Sequence, residues 1–363
     1  MSTKNIFHLA ALAALVILVQ MGTAWTETGY YLTQLTMIAY YSLLIIGLCM
    51  LMGYAGQISL GHAGFFGIGG YISAALTSHN FAPYQSNPFV NFLISNGLLV
   101  GRTDLYGETL LSFHPWPACI IAISFTFITA FIIGIPVLKL KGHYLAMATL
   151  GFGIIIYRVV LATEAFGEAD GLSEVPGFEL LPGLVVSGDF DARIENYYIA
   201  WGFVLLGIVL LLNLTNSRVG RALRAIHGSE EAAQAMGVNT ARYKLYIFVL
   251  SAVFAALAGV FLTHYNGGVG PSETGIMKSV RYVAIVSIGG MANIWGPLIM
   301  GVILNFMSLR GLLGSYDDVV FGVILILVML FAPHGILRLN VWSRLRLFFF
   351  PTPAKSSPLK ENQ

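Results

Sequence analysis

The sequence predicts an all-α polytopic transmembrane protein, a single transmembrane domain of about ten helices over residues 1–363, and three observations carry that prediction. Of the residues 57% are apolar and only 10% charged, where a soluble domain carries about a quarter charged residues. The apolar residues gather into long continuous runs, too long for the alternating strands of a barrel. In hydrocarbon only helices and closed barrels satisfy the backbone, so the runs read as helices. Soluble-enzyme classes are thereby excluded.

With a window suited to a helix of about 20 residues, the runs fall at 5–23, 31–53, 57–77, 117–138, 143–162, 197–214, 243–264, 279–291, 295–310 and 318–337. The first follows Lys4, and Gly22-Thr23-Ala24 at its end also fits a signal-peptide cleavage site. His8 and Gln20 interrupt it only near its ends, so it reads as a retained helix. The eighth and ninth are short and joined by Gly289-Gly290-Met291-Ala292-Asn293, the pattern of a broken or re-entrant pair. Cys49 and Cys119 both sit in apolar runs, which points to neither a disulfide framework nor a thiolate metal site.

Charge orients the bundle. With both termini cytoplasmic, thirteen of the nineteen Lys and Arg fall inside and fourteen of the seventeen carboxylates outside. The Lys/Arg excess is the part that sets topology. Six crossings before the basic segment at 218–242 keep it on the cytoplasmic side, and residues 338–363 form a cytoplasmic tail.

Two external loops are long. The first, about 78–115, mixes Asn, Pro and aromatics and reads as a solvated cap. The second, about 163–196, carries Glu164, Glu168, Asp170, Glu174, Glu179, Asp189, Asp191 and Glu195 against Arg193 alone. Such a run is either a solvated face or a docking surface, where complementary charge speeds encounter.

The third run is dense in glycine. Gly61, Gly64, Gly67 and Gly70 recur every three residues, and Ala63/Gly67 and Gly70/Ala74 place small residues four apart. Small residues let helix backbones approach closely in lipid. Packing does not account for Gln57, Ser59 and His62, because polar groups at membrane depth face the protein interior or a watered path. For His62 alone, a structural hydrogen bond is the simpler role. In the second half Ser287, Gly289, Gly290, Asn293, Gly296 and Pro297 repeat the mixture of broken backbone and polar groups. Paired interruptions of this kind point to an inverted repeat with a pathway between its halves. Pathway-lining candidates are therefore Gln57, Ser59, Gly61, His62, Thr149, Ser287, Gly289, Gly290 and Asn293.

Residues 218–237, RVGRALRAIHGSEEAAQAMG, are a charged amphipathic interruption in an apolar chain. Arg221, Arg224, Glu230, Glu231, Ala232, Ala233 and Gly237 make it a candidate surface for another protein, Gly237 serving as a helix C-cap. Arg221 and Arg224 suit lipid head groups equally well. No G-x-x-x-x-G-K-[ST] loop occurs, so the chain is not expected to hydrolyse ATP. Neither a metal-ligand spacing nor a nucleophile–base spacing is present, His62, His143 and His264 lacking carboxylate partners, and nothing points to nucleic acid.

Together GYAGQISLGHAGFFGIGGY (53–71), LKGHYLAMATLGFG (140–153), DGLS (170–173), the 221–237 loop, SIGGMANIWG (287–296) and APHGI (332–336) resemble the branched-chain amino-acid ABC-importer permease family, its LivM-like subunit in particular. The resemblance covers most of the chain. It implies a type II-like importer fold in the cell inner membrane that works by alternating access. It also implies two cytoplasmic ATPase subunits that bind ATP and Mg, a second permease (LivH-like or a copy of this chain) and a periplasmic solute-binding protein. No cofactor is implied for this chain itself. Ile154, Ile155 and Ile156 stand where family members commonly place an acidic residue, and Arg158 sits late, so urea and short amides stay open beside branched-chain amino acids. An ATP-independent carrier or channel is the rival reading. Nearly every carboxylate sits in a loop, which counts against ion coupling, and the 218–237 loop separates importer from channel.

Overall fold

The computed structural model describes residues 3–103, 109–140, 142–291, 293–312 and 314–331. Lys141, Ala292, the 332–336 motif, the end of the tenth run and the 338–363 tail lie outside the described residues, as does the side chain of Lys4. The described chain is built from α1 (Thr3–Trp25), α2 (Tyr30–Ala55), α3 (His62–Ser78), α4 (Pro88–Ser95), β1 (Leu99–Thr103), β2 (Thr109–Phe113), α5 (Pro115–Val137) and α6 (His143–Ala162). It continues through β3 (Phe178–Leu181), β4 (Leu184–Val186), α7 (Arg193–Asn216), α8 (Arg218–Gly228), α9 (Glu230–Ala235), α10 (Thr240–Asn266), α11 (Ile276–Gly289), α12 (Trp295–Leu309) and α13 (Asp317–Phe331).

Each of the ten predicted runs falls on a helix, and α4, α8 and α9 are additional short ones. α1, α2, α5, α6, α7 and α10 are long and apolar enough to cross a bilayer. α3, α11, α12 and α13 are shorter, at 17, 14, 15 and 15 residues. The third run was expected to be continuous from residue 57, but its helix begins only at His62. Gly56 closes α2 in the left-handed conformation (φ 67°), and side chains from other helices take up backbone N–H groups of the segment that follows.

α2 and α10 form the centre. In their most apolar 18-residue stretches, 89% of the residues of α2 are buried, against 11% of those of α1. α7, α10 and α12 surround α2 with α8 and α11 beside them, α3 packs on α10 and α5, and α1 lies at the periphery against α7. The glycine pattern of α3 serves this packing. A Cβ on Gly69 would sit 2.3 Å from the Ala256 carbonyl oxygen, and one on Gly259 would sit 2.0 Å from that of Phe66. Backbones of α3 and α10 therefore touch directly, which lengthens the shared contact where apolar side chains have no preference over lipid.

Both long loops fold. In the 78–115 segment the β1–β2 hairpin and α4 gather Val90, Leu93, Leu99, Leu111 and Phe113 around Ala118 of α5. This segment is a small lid with its own apolar core, not only the solvated cap that was expected. Its alternation spans too few residues to stand out in sequence. In the 163–196 segment β3 pairs with β4 and buries Phe178 and Val186 fully. Leu172 bridges to Val269 just beyond α10, pinning that loop to the bundle.

Candidate functional site

The break between α2 and α3 is held from four sides by polar side chains. Leu60 N–H donates to Thr149 Oγ1 of α6 at 3.0 Å, and Ala63 N–H donates to Ser279 Oγ of α11 at 3.2 Å. His62 Nδ1 lies 3.1 Å from Ser59 Oγ, and its Nε2 lies 2.9 Å from Ser251 Oγ of α10. Ser251 donates its own proton to the Phe248 carbonyl. It therefore accepts from His62 Nε2–H, which leaves Nδ1 to accept from Ser59. Gln57, Ser59, His62 and Thr149 are all buried. The Gln57 amide has no hydrogen-bond partner on either atom among the described residues. A buried amide in that state is costly unless a solute or water meets it.

The second break lies between α11 and α12. Gly290 turns the chain at φ 95°, and the Met291 carbonyl faces Cys49 Sγ of α2 at 3.8 Å. Ser287 is buried, and its hydroxyl has no hydrogen-bond partner among the described residues. Asn293 is exposed, and its Oδ1 accepts from Trp295 N–H at 3.2 Å, starting α12. Gly289 is buried against Pro297. The sequence candidates thus form two groups, Ser59/Gly61/His62/Thr149 with Gln57 beside them and Ser287/Gly289/Gly290/Asn293, both set against the C-terminal end of α2.

The 218–237 segment folds as a two-helix step. Ser217 Oγ accepts from Val219 N–H and Gly220 N–H, capping α8, and Ser229 Oγ accepts from Ala232 N–H, capping α9. Leu223 and Ile226 of α8 are buried against the bundle, and Ala233 of α9 is buried too. Gly237 ends α9 at φ 82°, where Val238 N–H reaches the Ala233 carbonyl at 3.0 Å and Gly237 N–H that of Gln234 at 2.9 Å. The opposite face presents Arg221, Arg224, Glu231 and Ala232, with Met236 84% exposed.

Glu230 differs from its neighbour Glu231. It pairs with Lys244 Nζ at 2.5 Å and accepts from Thr240 Oγ1 at 3.3 Å, bracing α9 on the first turns of α10. A cleft of about 550 Å³ opens beside this brace, lined by Lys139, Glu230, Gln234, Asn239 and Arg242 among others. The ring of His227 on α8 lies over Gly56, so close that a Cβ there would be 3.0 Å from Nδ1. The step is therefore in contact with the residue that opens the α2–α3 break.

At the other end of α7 and α10, all eight carboxylates of the 163–196 loop are exposed. Sequence reasoning missed Ser251 and Ser279, single hydroxyls in apolar runs. It also missed an ionic cluster of Tyr41, Glu273 and Lys278 beside the 3₁₀ turn Pro271–Thr274. The only signal available for the latter was two charges close to the edge of a predicted span.

A family model described as branched-chain amino acid transport system, permease component, matches residues 30–329. The high-affinity branched-chain amino acid transport system permease protein LivM of Escherichia coli (strain K12) is 29% identical over 351 residues, 90% of this chain and 75% of that protein. The corresponding LivH of the same strain is 29% identical over 320 residues, 85% of this chain and 96% of that protein. BraD of Pseudomonas aeruginosa is 27% identical over 328 residues, 86% and 97% respectively. No solved structure gives a significant match.

Proposed function

Because the chain belongs to the family of permease components of branched-chain amino acid transport systems, and is accordingly a multi-pass inner-membrane permease subunit, we propose that it forms half of the translocation pathway of an ATP-driven importer. Its solute is a branched-chain amino acid or a close relative. Two cytoplasmic ATPases power it, a second permease completes the pathway and a periplasmic binding protein delivers the solute. Both termini and the α8–α9 step lie in the cytoplasm.

The observation that carries this reading is the α8–α9 step. Its inner face is packed on the bundle and its outer face presents Glu231, Ala232 and Met236 to a partner. Small residues let a helix seat in a groove, and the cap at Gly237 holds its end. His227 over Gly56 then gives the step a direct bearing on the α2–α3 break. Displacement of the step by an ATPase would reach Gln57, Ser59 and His62 through one contact. On the opposite face, the exposed carboxylates of residues 164–195 would meet a binding protein of complementary charge.

Purification of the tagged chain from its native membranes, with mass spectrometry of what accompanies it, tests the reading. Recovery of ATPase subunits with a companion permease supports it. Recovery of the chain alone, with flux that survives reconstitution without ATP, overturns it.

A further inference from the structure

Tyr41 of α2, the 3₁₀ turn Pro271–Thr274 and the first turn of α11 meet in a partly exposed charged cluster that neither break includes. Glu273 and Lys278 pair at 2.9 Å, and their side chains keep 22% and 25% of their exposure, so the pair is reached from outside rather than sealed. The Tyr41 hydroxyl, itself on a buried residue, lies 3.1 Å from both carboxylate oxygens and donates to them. Lys278 Nζ donates to the same hydroxyl at 3.3 Å and lies 4.9 Å from the ring centroid.

The cluster is rigidly placed. Thr274 is 1% exposed, and its methyl fills the space over Gly67, where a Cβ would be 2.0 Å from it. Two further phenols lie in the same region of the bundle. Tyr71 of α3 and Tyr282 of α11 are both buried and both experience the Glu273 charge, and the Tyr282 ring stands 6.2 Å from that of Tyr41. Neither hydroxyl has a hydrogen-bond partner among the described residues. Buried polar groups are ordinarily satisfied, so both hydroxyls are open to a further partner.

We propose that this cluster recognises the two charged ends of a zwitterionic α-amino acid, Glu273 receiving the ammonium and Lys278 the carboxylate, with the Tyr71 and Tyr282 hydroxyls available to the bound solute. The proposal rests on the permease reading above and names the solute class of that pathway. In the structure the Lys278 ammonium itself fills the cationic position. Its flexible four-carbon stem lets it swing aside, so a zwitterion exchanges one internal pair for two pairs of the same kind. A solute lacking either charge leaves a partly buried charge unpaired, which discriminates against it more strongly than any lost apolar contact.

The test is equilibrium binding of tritiated leucine to the full-length chain, purified in nanodiscs with whatever subunits accompany it and with no soluble binding protein in the assay. Leucinamide and 4-methylpentanoate, each lacking one charge, serve as competitors. Glu273→Gln and Lys278→Gln are each expected to weaken leucine binding about tenfold or more. The double variant is expected to bind no better than the single ones, and neither analogue should displace leucine at equal concentration. Tyr41→Phe keeps the ion pair and so the fold, and is expected to weaken binding severalfold. A double variant restored to wild-type binding would show the pair to be structural and overturn the proposal. Analogues that compete as well as leucine would overturn it too, as would a wild-type chain without saturable binding. Co-purification of ATPase subunits is scored separately, so a failed importer reading and a failed cluster reading give different results.

Discussion

Gly53 and Met291 are in backbone contact. A Cβ built on Gly53 would lie 1.4 Å from the Met291 carbonyl oxygen and 2.5 Å from its carbonyl carbon, so only bare backbone fits there. The last turns of α2 thus hold the second break in place, and the same helix ends at Gly56, where the first break begins.

Gly53→Ala is expected to push the two segments apart. Overpacking of this kind costs about 1–3 kcal/mol, and the obstructing atoms are backbone rather than a flexible side chain. The purified variant should melt several degrees below wild type in detergent. Gly151→Ala on α6, which meets nothing within 4 Å, is the control and should melt at or slightly above it. Equal melting of the two alanine variants would refute the contact.

His62 ties Ser59, inside the first break, to Ser251 of α10. His62→Leu leaves both hydroxyls without that partner, at about 1–3 kcal/mol. In a double-mutant cycle with Ser251→Ala the two losses should be clearly less than additive, because they remove one shared bond. Additive losses would show that the bond contributes nothing.

The adjacent carboxylates Glu230 and Glu231 should separate stability from docking. Glu230→Gln leaves Lys244, which is 8% exposed, without its counter-charge. Partial exposure of Glu230 limits the loss to about 1 kcal/mol, seen as a lower melting temperature. Glu231→Lys touches no internal partner and should melt as wild type while recovering less ATPase in a pull-down. The reverse assignment of the two effects would place the docking face on the wrong side of α9.

Gly237→Val sets a β-branched residue at φ 82°, a conformation that costs at least about 1–2 kcal/mol for such a side chain. The end of α9 should open, with faster proteolytic cleavage around residues 235–239 and reduced solute uptake. Asn tolerates this conformation better, so Gly237→Asn is expected to lose less. Identical cleavage rates for all three proteins would remove the cap from the mechanism.

Much of the fold was legible because a membrane span is a local property. Twenty apolar residues read as a helix whatever packs against them, and all ten runs fell on helices. The α8–α9 step was legible for a related reason. Its amphipathic pattern, and the Ser217 and Ser229 caps that the structure reveals, act within a few residues of the turns they form. The loops were less legible, since the β1–β2 hairpin and the small core around Leu99 and Phe113 depend on pairing that short segments barely encode.

The sequence by itself determined the membrane class, the positions of the helices and the charged amphipathic segment at 218–237, because hydropathy and capping act over one or two turns. Only the tertiary structure decided which polar groups meet. His62 and Ser251 are 189 residues apart, and Tyr41 and Glu273 are 232 apart. α2 is apolar nearly all the way round, so no periodicity marks the face that Tyr41 turns toward Glu273 or the one that Gly53 turns toward Met291. In such a helix the rotation and depth are set by backbone contact with its neighbours, and those contacts exist only once the bundle has formed.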